Sequence, residues 1–87
     1  MSAERQRIDR WLWHARVVRT RSAAADLVVA GHVRINGTKV RAASREVKCG
    51  DVVTIALDRG VRVLKVRGFL ARRGDAGMGA ALYEELA

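Results

Sequence analysis

Fourteen arginines and three lysines against nine carboxylates are the residues best placed to do chemistry in this 87-residue chain, and that chemistry is anion binding. Guanidinium suits phosphate because its planar fork donates two parallel hydrogen bonds and stacks on flat rings. The excess is uneven: residues 1–48 carry eleven basic and four acidic side chains, residues 49–87 six and five. A polyanion-binding face concentrates charge in this way, whereas a solubilising surface spreads it. Other chemistries fail on spacing. His14, His32 and the lone Cys49 are too few ligands for a zinc site and match no finger or ribbon pattern. Cys49, beside Gly50-Asp51, reads as a small turn residue far more readily than as the nucleophile of a Cys49–His32 pair. Gly74, Gly77 and Gly79 leave only eight residues after them, too few for the βαβ unit a dinucleotide site requires. Asp51 and Asp58 lie at opposite ends of one strand and cannot share a proton. The expectation is a protein that is not an enzyme, with no cofactor, no metal and no small-molecule substrate.

The elements that must position these arginines follow from the apolar spacing. Ile8, Trp11, Leu12, Ala15 and Val18 fall on one helix face, with Asp9 capping or charging its start and an end near Val18 or Arg19. Arg5, Arg7, Arg10 and Arg16 are assigned to that helix. Trp11 is core. Trp13 lies on the polar face, where covering by the last helix through Tyr83 or Leu86 is favoured over stacking on an unpaired base, a contact worth about 1–3 kcal/mol. Thr20 or Ser22 caps a second helix with Ala24, Leu27 and Val28 inward, and Gly31 closes it. Arg19 and Arg21 lie at the junction, Arg21 in the first turn of the second helix, where free amides and the dipole favour phosphate.

After Gly31 the period alternates. Val33-Arg34-Ile35 leads into Asn36-Gly37, a strong hairpin signal, and Thr38-Lys39-Val40-Arg41 returns. Val52 to Leu57 and Val61 to Phe69 form a second pair around Asp58-Arg59-Gly60, and Ala80 to Leu86 reads as a short last helix. The fold class is α+β: a helix-loop-helix N-terminal half packed on a small, mostly antiparallel curled sheet, closed by a short C-terminal helix. The length fits one domain over 1–87, with a core motif at 7–53 and the strand pair and helix at 54–87. A polar start, Ser2-Ala3-Glu4-Arg5, apolar runs far below the roughly 18 residues of a membrane span and a single cysteine fit a soluble, cytoplasmic domain that does not enter membranes.

These residues resemble a known family. Arg7-Ile8-Asp9, then Thr20-Arg21-x-x-Ala24-x-x-Leu27-Val28-x-x-Gly31-x-Val33-x-Ile35-Asn36-Gly37, Ser44, and Lys48-x-Gly50-Asp51-x-Val53 are similar to the S-four domain, the RNA-binding module named after ribosomal small-subunit protein four. Trp11-Leu12-Trp13, Arg19-Thr20-Arg21 and the late Ala80-Ala81-x-x-Glu84-Glu85 look like its ribosome-associated heat-shock protein fifteen branch. The resemblance implies structured RNA bound along the two helices and the hairpin. Family contact positions fall on Arg7, Arg10, Arg16, Arg21 and Lys39, with Arg5, Arg19, Arg34, Arg41 and Lys48 at the rim. Asp9, Gly31, Asn36, Gly37, Gly50 and Asp51 take architectural roles. For this branch it also implies ribosomal RNA of the large subunit as partner and a part in recycling stalled subunits after heat stress. Asp26, where the family is commonly basic, and the lack of a long basic segment after Ala87 are departures. Two other readings stand beside it: the RNA-targeting module of an RNA-modifying enzyme, and a charge-driven polyanion binder with weak DNA binding.

Overall fold

The computed structural model describes residues 4–87; the polar start at Ser2-Ala3 lies outside them. The described elements run β1 (Arg5–Arg7), α1 (Ile8–His14), α2 (Arg21–Val29), β2 (Val33–Ile35), β3 (Thr38–Lys39), β4 (Glu46–Lys48), β5 (Val52–Leu57), β6 (Gly60–Val66), α3 (Ala76–Ala80) and β7 (Tyr83–Glu85). The α+β class is as expected, but the sheet is open and uncurled, in the order β3-β2-β5-β6-β7, with β1 and β4 forming a separate two-stranded ribbon. Every described strand pair is antiparallel.

The two helices lie on one face of the five-stranded sheet. Ile8, Trp11 and Leu12 of α1 and Ala24 and Val28 of α2 meet Val33, Ile35, Val53, Ile55, Leu64 and Val66 from alternate positions of the strands, all almost fully buried. Each large apolar side chain enclosed this way stabilises by roughly 1.5–3 kcal/mol, which is what holds two short helices in place. At the β2–β3 connection Asn36 (φ 51°) and Gly37 (φ 83°) both adopt left-handed backbone, the type I′ geometry that matches strand twist.

Three expectations need correcting. First, α1 ends at His14 rather than near Val18. Arg16 N–H donates to the Trp13 carbonyl and Val17 N–H to the Leu12 carbonyl, a Schellman ending with Arg16 in the left-handed position (φ 61°). Glycine normally marks that position, so an arginine there hides the stop. Gly31 (φ 84°) ends α2 by the same pair of bonds, as expected. Second, Arg5 and Arg7 belong to β1, not to α1. Asp9 is not the cap: Arg7 holds that position without a side-chain bond, and the Ile8 and Asp9 amides instead donate to the Arg45 and Ala43 carbonyls. Third, the last helix spans Ala76–Ala80, capped by Asp75 accepting from Met78 N–H, and Tyr83–Glu85 is an edge strand beside β6. Edge pairing with β6 overrode the helical propensity of Leu82-Tyr83-Glu84-Glu85.

Candidate nucleic-acid interface

Asp9 organises the basic face. It is 4% exposed, one residue into α1, and its carboxylate accepts three hydrogen bonds and pairs with a further guanidinium. Oδ1 takes Arg7 Nε at 3.1 Å and Arg10 N–H at 2.8 Å; Oδ2 takes Arg7 Nη2 at 3.0 Å and lies 3.6 Å from Arg21 Nε. The side chains of Arg7 and Arg21, arriving from β1 and from the first turn of α2, stay 48% and 44% exposed. One buried carboxylate thus fixes two guanidinium groups side by side while leaving outward donors on each. Thr20 caps α2 by accepting from Ala23 N–H, so the helix start that carries Arg21 is itself pinned.

Lys39 lies at the other end of α2. Its side chain passes over Gly31, with Nζ 3.5 Å from where a Cβ on that glycine would stand. An ammonium there meets the negative end of the helix dipole. Arg21 and Lys39 therefore bracket α2, separated by roughly 12 Å at 1.5 Å per residue. Arg19, Arg34 and Arg41 are exposed, and Arg34 donates to the Gly37 carbonyl within its hairpin. Arg5 and Lys48 are exposed on the β1–β4 ribbon, where they face each other in register.

Arg10 and Arg16 are held differently. Arg10 Nη2 donates to the Ala71 carbonyl at 2.6 Å, and Arg16 donates to the Gly74 carbonyl through Nε (3.2 Å) and Nη2 (2.6 Å). Both bind a strap formed by residues 67–74, which crosses α1. Trp11 Nε1 donates to the Gly68 carbonyl, and Gln6 Nε2 and the His14 ring both reach the Leu70 carbonyl. Arg73 closes the strap: Nε donates to the Trp13 carbonyl at 3.0 Å, Nη2 to the Val18 carbonyl at 3.4 Å, and the guanidinium carbon lies 5.6 Å from the indole ring centroid. Trp13 is half-buried, and the group over it is Arg73 of the strap, not Tyr83 or Leu86 as expected. Tyr83 instead lies beneath Arg62, which also binds Glu85.

His14, 1% exposed, sits under this strap. Burial pushes its pKa below 6.5; its bond to the Leu70 carbonyl opposes that, and Arg10, Arg21 and Arg73 add to it. The lowered pKa favours the neutral ring, whose Nδ1 lies 3.0 Å from the Leu70 carbonyl oxygen. Among the described residues no group of three His, Cys, Asp or Glu side chains could hold a metal ion, and no helix is long and apolar enough to cross a membrane. The strap and Arg73 escaped the sequence reading because their partners are backbone carbonyls about sixty residues away, which no spacing rule records. Arg72-Arg73, two adjacent cations just before the Asp75 cap, was the available signal.

A cationic face built on a buried aspartate and two capped short helices defines a class, and comparison with known proteins gives the same one. The chain belongs to the S4 domain family, whose model matches residues 6–53. Over 81 residues it is 33% identical to Heat shock protein 15 of Escherichia coli K12, covering 93% of this chain and 60% of that protein. A solved trimeric structure of Vibrio cholerae Heat Shock Protein 15 superposes with a TM-score of 0.88 at 32% identity, covering 97% of this chain and 84% of that one. Small ribosomal subunit protein uS4 of a Bradyrhizobium species is 40% identical over 50 residues, 58% of this chain and 24% of its own length. The chain spans about 60% of the length of the curated heat-shock relatives it matches.

Proposed function

We propose that this chain binds structured ribosomal RNA without catalysing a reaction, as one unit over residues 1–87 built on the core motif 7–53. The observation that carries the reading is the Arg7–Asp9–Arg21 cluster, because it spends a buried carboxylate on orienting two exposed guanidinium groups. Family membership and the heat-shock and ribosomal relatives support the same reading. A-form RNA hides its major-groove edges, so a rigid basic face reads backbone geometry and the shape of folded loops more than sequence. Arg7, Arg21 and Lys39 are the central contacts, with Arg19, Arg34, Arg41, Arg5 and Lys48 around them. Arg10 and Arg16 contribute charge while their guanidinium groups hold the strap. On the same reading the partner is the large ribosomal subunit in the cytoplasm, during recycling of stalled subunits after heat stress.

Co-sedimentation with separated ribosomal subunits, across a salt series and with excess duplex DNA, tests this. Large-subunit binding that survives the DNA is expected. With about five phosphates neutralised, log affinity falls with log salt at a slope of roughly −3.5 to −4.5. Binding that DNA removes completely leaves a charge-driven polyanion binder. Replacing Arg7 and Arg21 together by alanine flattens the slope; unchanged RNA binding in that variant refutes the site.

A further inference from the structure

The β1–β4 ribbon contains an arrangement that stability alone does not explain. Its register places Arg5 directly opposite Lys48, on the exposed side of both strands, with Gln6 and Val47 turned inward between them and the next pair. Like charges directly opposite on a strand pair destabilise it, and an isolated two-stranded ribbon is marginal already. Arg45, one residue before β4, brings a third cation to the same place. Among the described residues none of the three is in an ion pair, although every one is exposed.

These cations line an open cavity of about 350 Å³ between the ribbon and the β2–β3 turn. Asp51 and Asn36 form part of its wall, and Asp51 is the obvious candidate to neutralise it. Its oxygens face neutral donors instead, Oδ1 accepting from Asn36 Nδ2 at 3.1 Å and Oδ2 from Lys48 N–H at 3.0 Å, so among the described residues it forms no ion pair with the three cations, although its charge stays in the wall. Asn36 Oδ1 in turn accepts from Val52 N–H at 2.9 Å. The polar wall is thus a closed hydrogen-bond network that props the turn against the ribbon. Glu46, across the ribbon from Arg7, also lines the cavity and makes no ion pair among the described residues, so three cations stand against two carboxylates in the lining. Three long cationic side chains therefore share one concave space with a rigid floor. That is the arrangement guanidinium and ammonium groups use to surround a tetrahedral anion.

We propose that this cavity, beside the Arg7–Arg21 cluster, is a phosphate-binding site with Arg5, Arg45 and Lys48 as its ligating side chains, which deepens the peripheral role given above to Arg5 and Lys48. A phosphate placed there converts the Arg5–Lys48 repulsion into two attractions, so it tightens the ribbon as it binds. The phosphate belongs either to the backbone of a bound RNA, in which case the inference rests on the function proposed above, or to free phosphate. Arg45 is the residue that neither spacing nor resemblance singled out.

The test uses the whole chain and two arms. In the first, inorganic phosphate is titrated against chloride at matched ionic strength while backbone amide NMR shifts and the thermal midpoint are followed. Phosphate-specific shifts at residues 45–51 and a rise in the midpoint are expected. Lys48→Gln abolishes both responses while leaving the phosphate-free midpoint the same or higher, because the substitution relieves the repulsion. A purely structural lysine would lower it instead. In the second arm, Arg45→Gln and Lys48→Gln are compared with wild type in RNA binding over a salt series. Loss of one phosphate contact flattens the slope by about 0.7–0.9 and identifies the RNA backbone as the source. An unchanged slope with the first arm intact supports the site with free phosphate as its occupant. No phosphate response beyond that of chloride overturns the site, even if the slope changes, since the cations would then act only as diffuse charge. Wild type that fails to bind any RNA defeats the proposed function and leaves the first arm to decide the cavity.

Discussion

Asp9→Asn separates a charge effect from a positional one by sign. The substitution is nearly isosteric, keeps an oxygen for Arg10 N–H, and removes the negative charge that Arg7 and Arg21 share. If RNA is held only by net positive charge, deleting a negative one helps. One unit charge about 7 Å from a phosphate in water is worth roughly 0.6 kcal/mol, close to a threefold gain in affinity. If instead the interface depends on two positioned guanidinium groups, the variant must order both on binding, at about 0.5–1.5 kcal/mol each, a total of 1–3 kcal/mol. That predicts a loss of roughly 5- to 100-fold at 1.4 kcal/mol per decade, and the loss outweighs the charge gain. Folding suffers too, because the amide presents N–H donors to Arg7 Nη2 and Arg21 Nε. A charge-assisted bond is worth about 1.5–3 kcal/mol, reduced here to about 1–2 by the half-exposed arginines. For a chain of this size the thermal midpoint falls by roughly 4–15 °C. Fluorescence anisotropy with a structured ribosomal RNA fragment, well below the midpoint, reads the affinity. Tighter binding by Asp9→Asn would refute the positional argument and favour diffuse charge.

Gly79→Ala should be among the most damaging small substitutions. A Cβ there stands 2.9 Å from the His14 carbonyl oxygen, which is backbone and cannot swing aside, so α3 must lift from the end of α1 at a cost of about 1–3 kcal/mol; a thermal midpoint within 2–3 °C of wild type would contradict this. Arg73→Lys keeps the charge but loses the fork that joins the Trp13 and Val18 carbonyls, so the Trp13 contribution to fluorescence shifts to the red and stability drops by about 1–2 kcal/mol. Because the native pKa of His14 lies below 6.5, the unfolded chain takes up its proton first as pH falls. Stability is therefore complete above pH 6.5 and declines from there toward the lowered native value. His14→Gln, which retains a donor for the Leu70 carbonyl, should flatten that decline in urea midpoints. The separate loss below pH 4.5, where Glu84 paired with Arg67 and Glu85 paired with Arg62 become protonated, should persist in the variant.

Where a signal was local, the sequence was readable. Thr20 as cap, Gly31 as helix end, the Asn36-Gly37 turn and buried Trp11 all depend on contacts within a few residues or on a single apolar period, and the structure places each as expected. What was not readable depends on long-range pairing. Arg5 to Arg7 carries no strand signal of its own; it is extended because Glu46–Lys48 supplies the partner. Tyr83 to Glu85 has helical composition and becomes a strand because β6 would otherwise be an open edge and Arg62 has a carboxylate to meet. The strap is the extreme case, since its donors Gln6, Arg10, Trp11 and Arg16 all aim at carbonyls, groups that every residue possesses and no sequence pattern distinguishes.

The formal charge of +8 therefore overstates neither half equally. In residues 49–87, Arg62 and Arg67 are paired with Glu85 and Glu84, and Arg73 serves the Trp13 and Val18 carbonyls, so three of the six cations there are engaged in folding contacts. Among the described residues up to 48 the single acid engaged in ion pairs is Asp9, and it leaves its two partners about half exposed. Among the described residues, Arg5, Arg19, Lys39, Arg41, Arg45 and Lys48 make no ion pair or side-chain hydrogen bond to the protein, against Arg59, Lys65 and Arg72 in the second half. Folding thus keeps the asymmetry that composition hints at: part of the second half's charge builds the sheet edge and the strap, and twice as many unengaged cations, six against three, remain in the first half. A change that returned charge to the second half, such as Glu84→Gln with Glu85→Gln, should weaken the sheet edge while leaving the salt slope of RNA binding within about 0.5 of wild type, because the released arginines lie outside the proposed face. A slope steeper by a full phosphate contact, about 0.7–0.9, would show that position matters less than total charge.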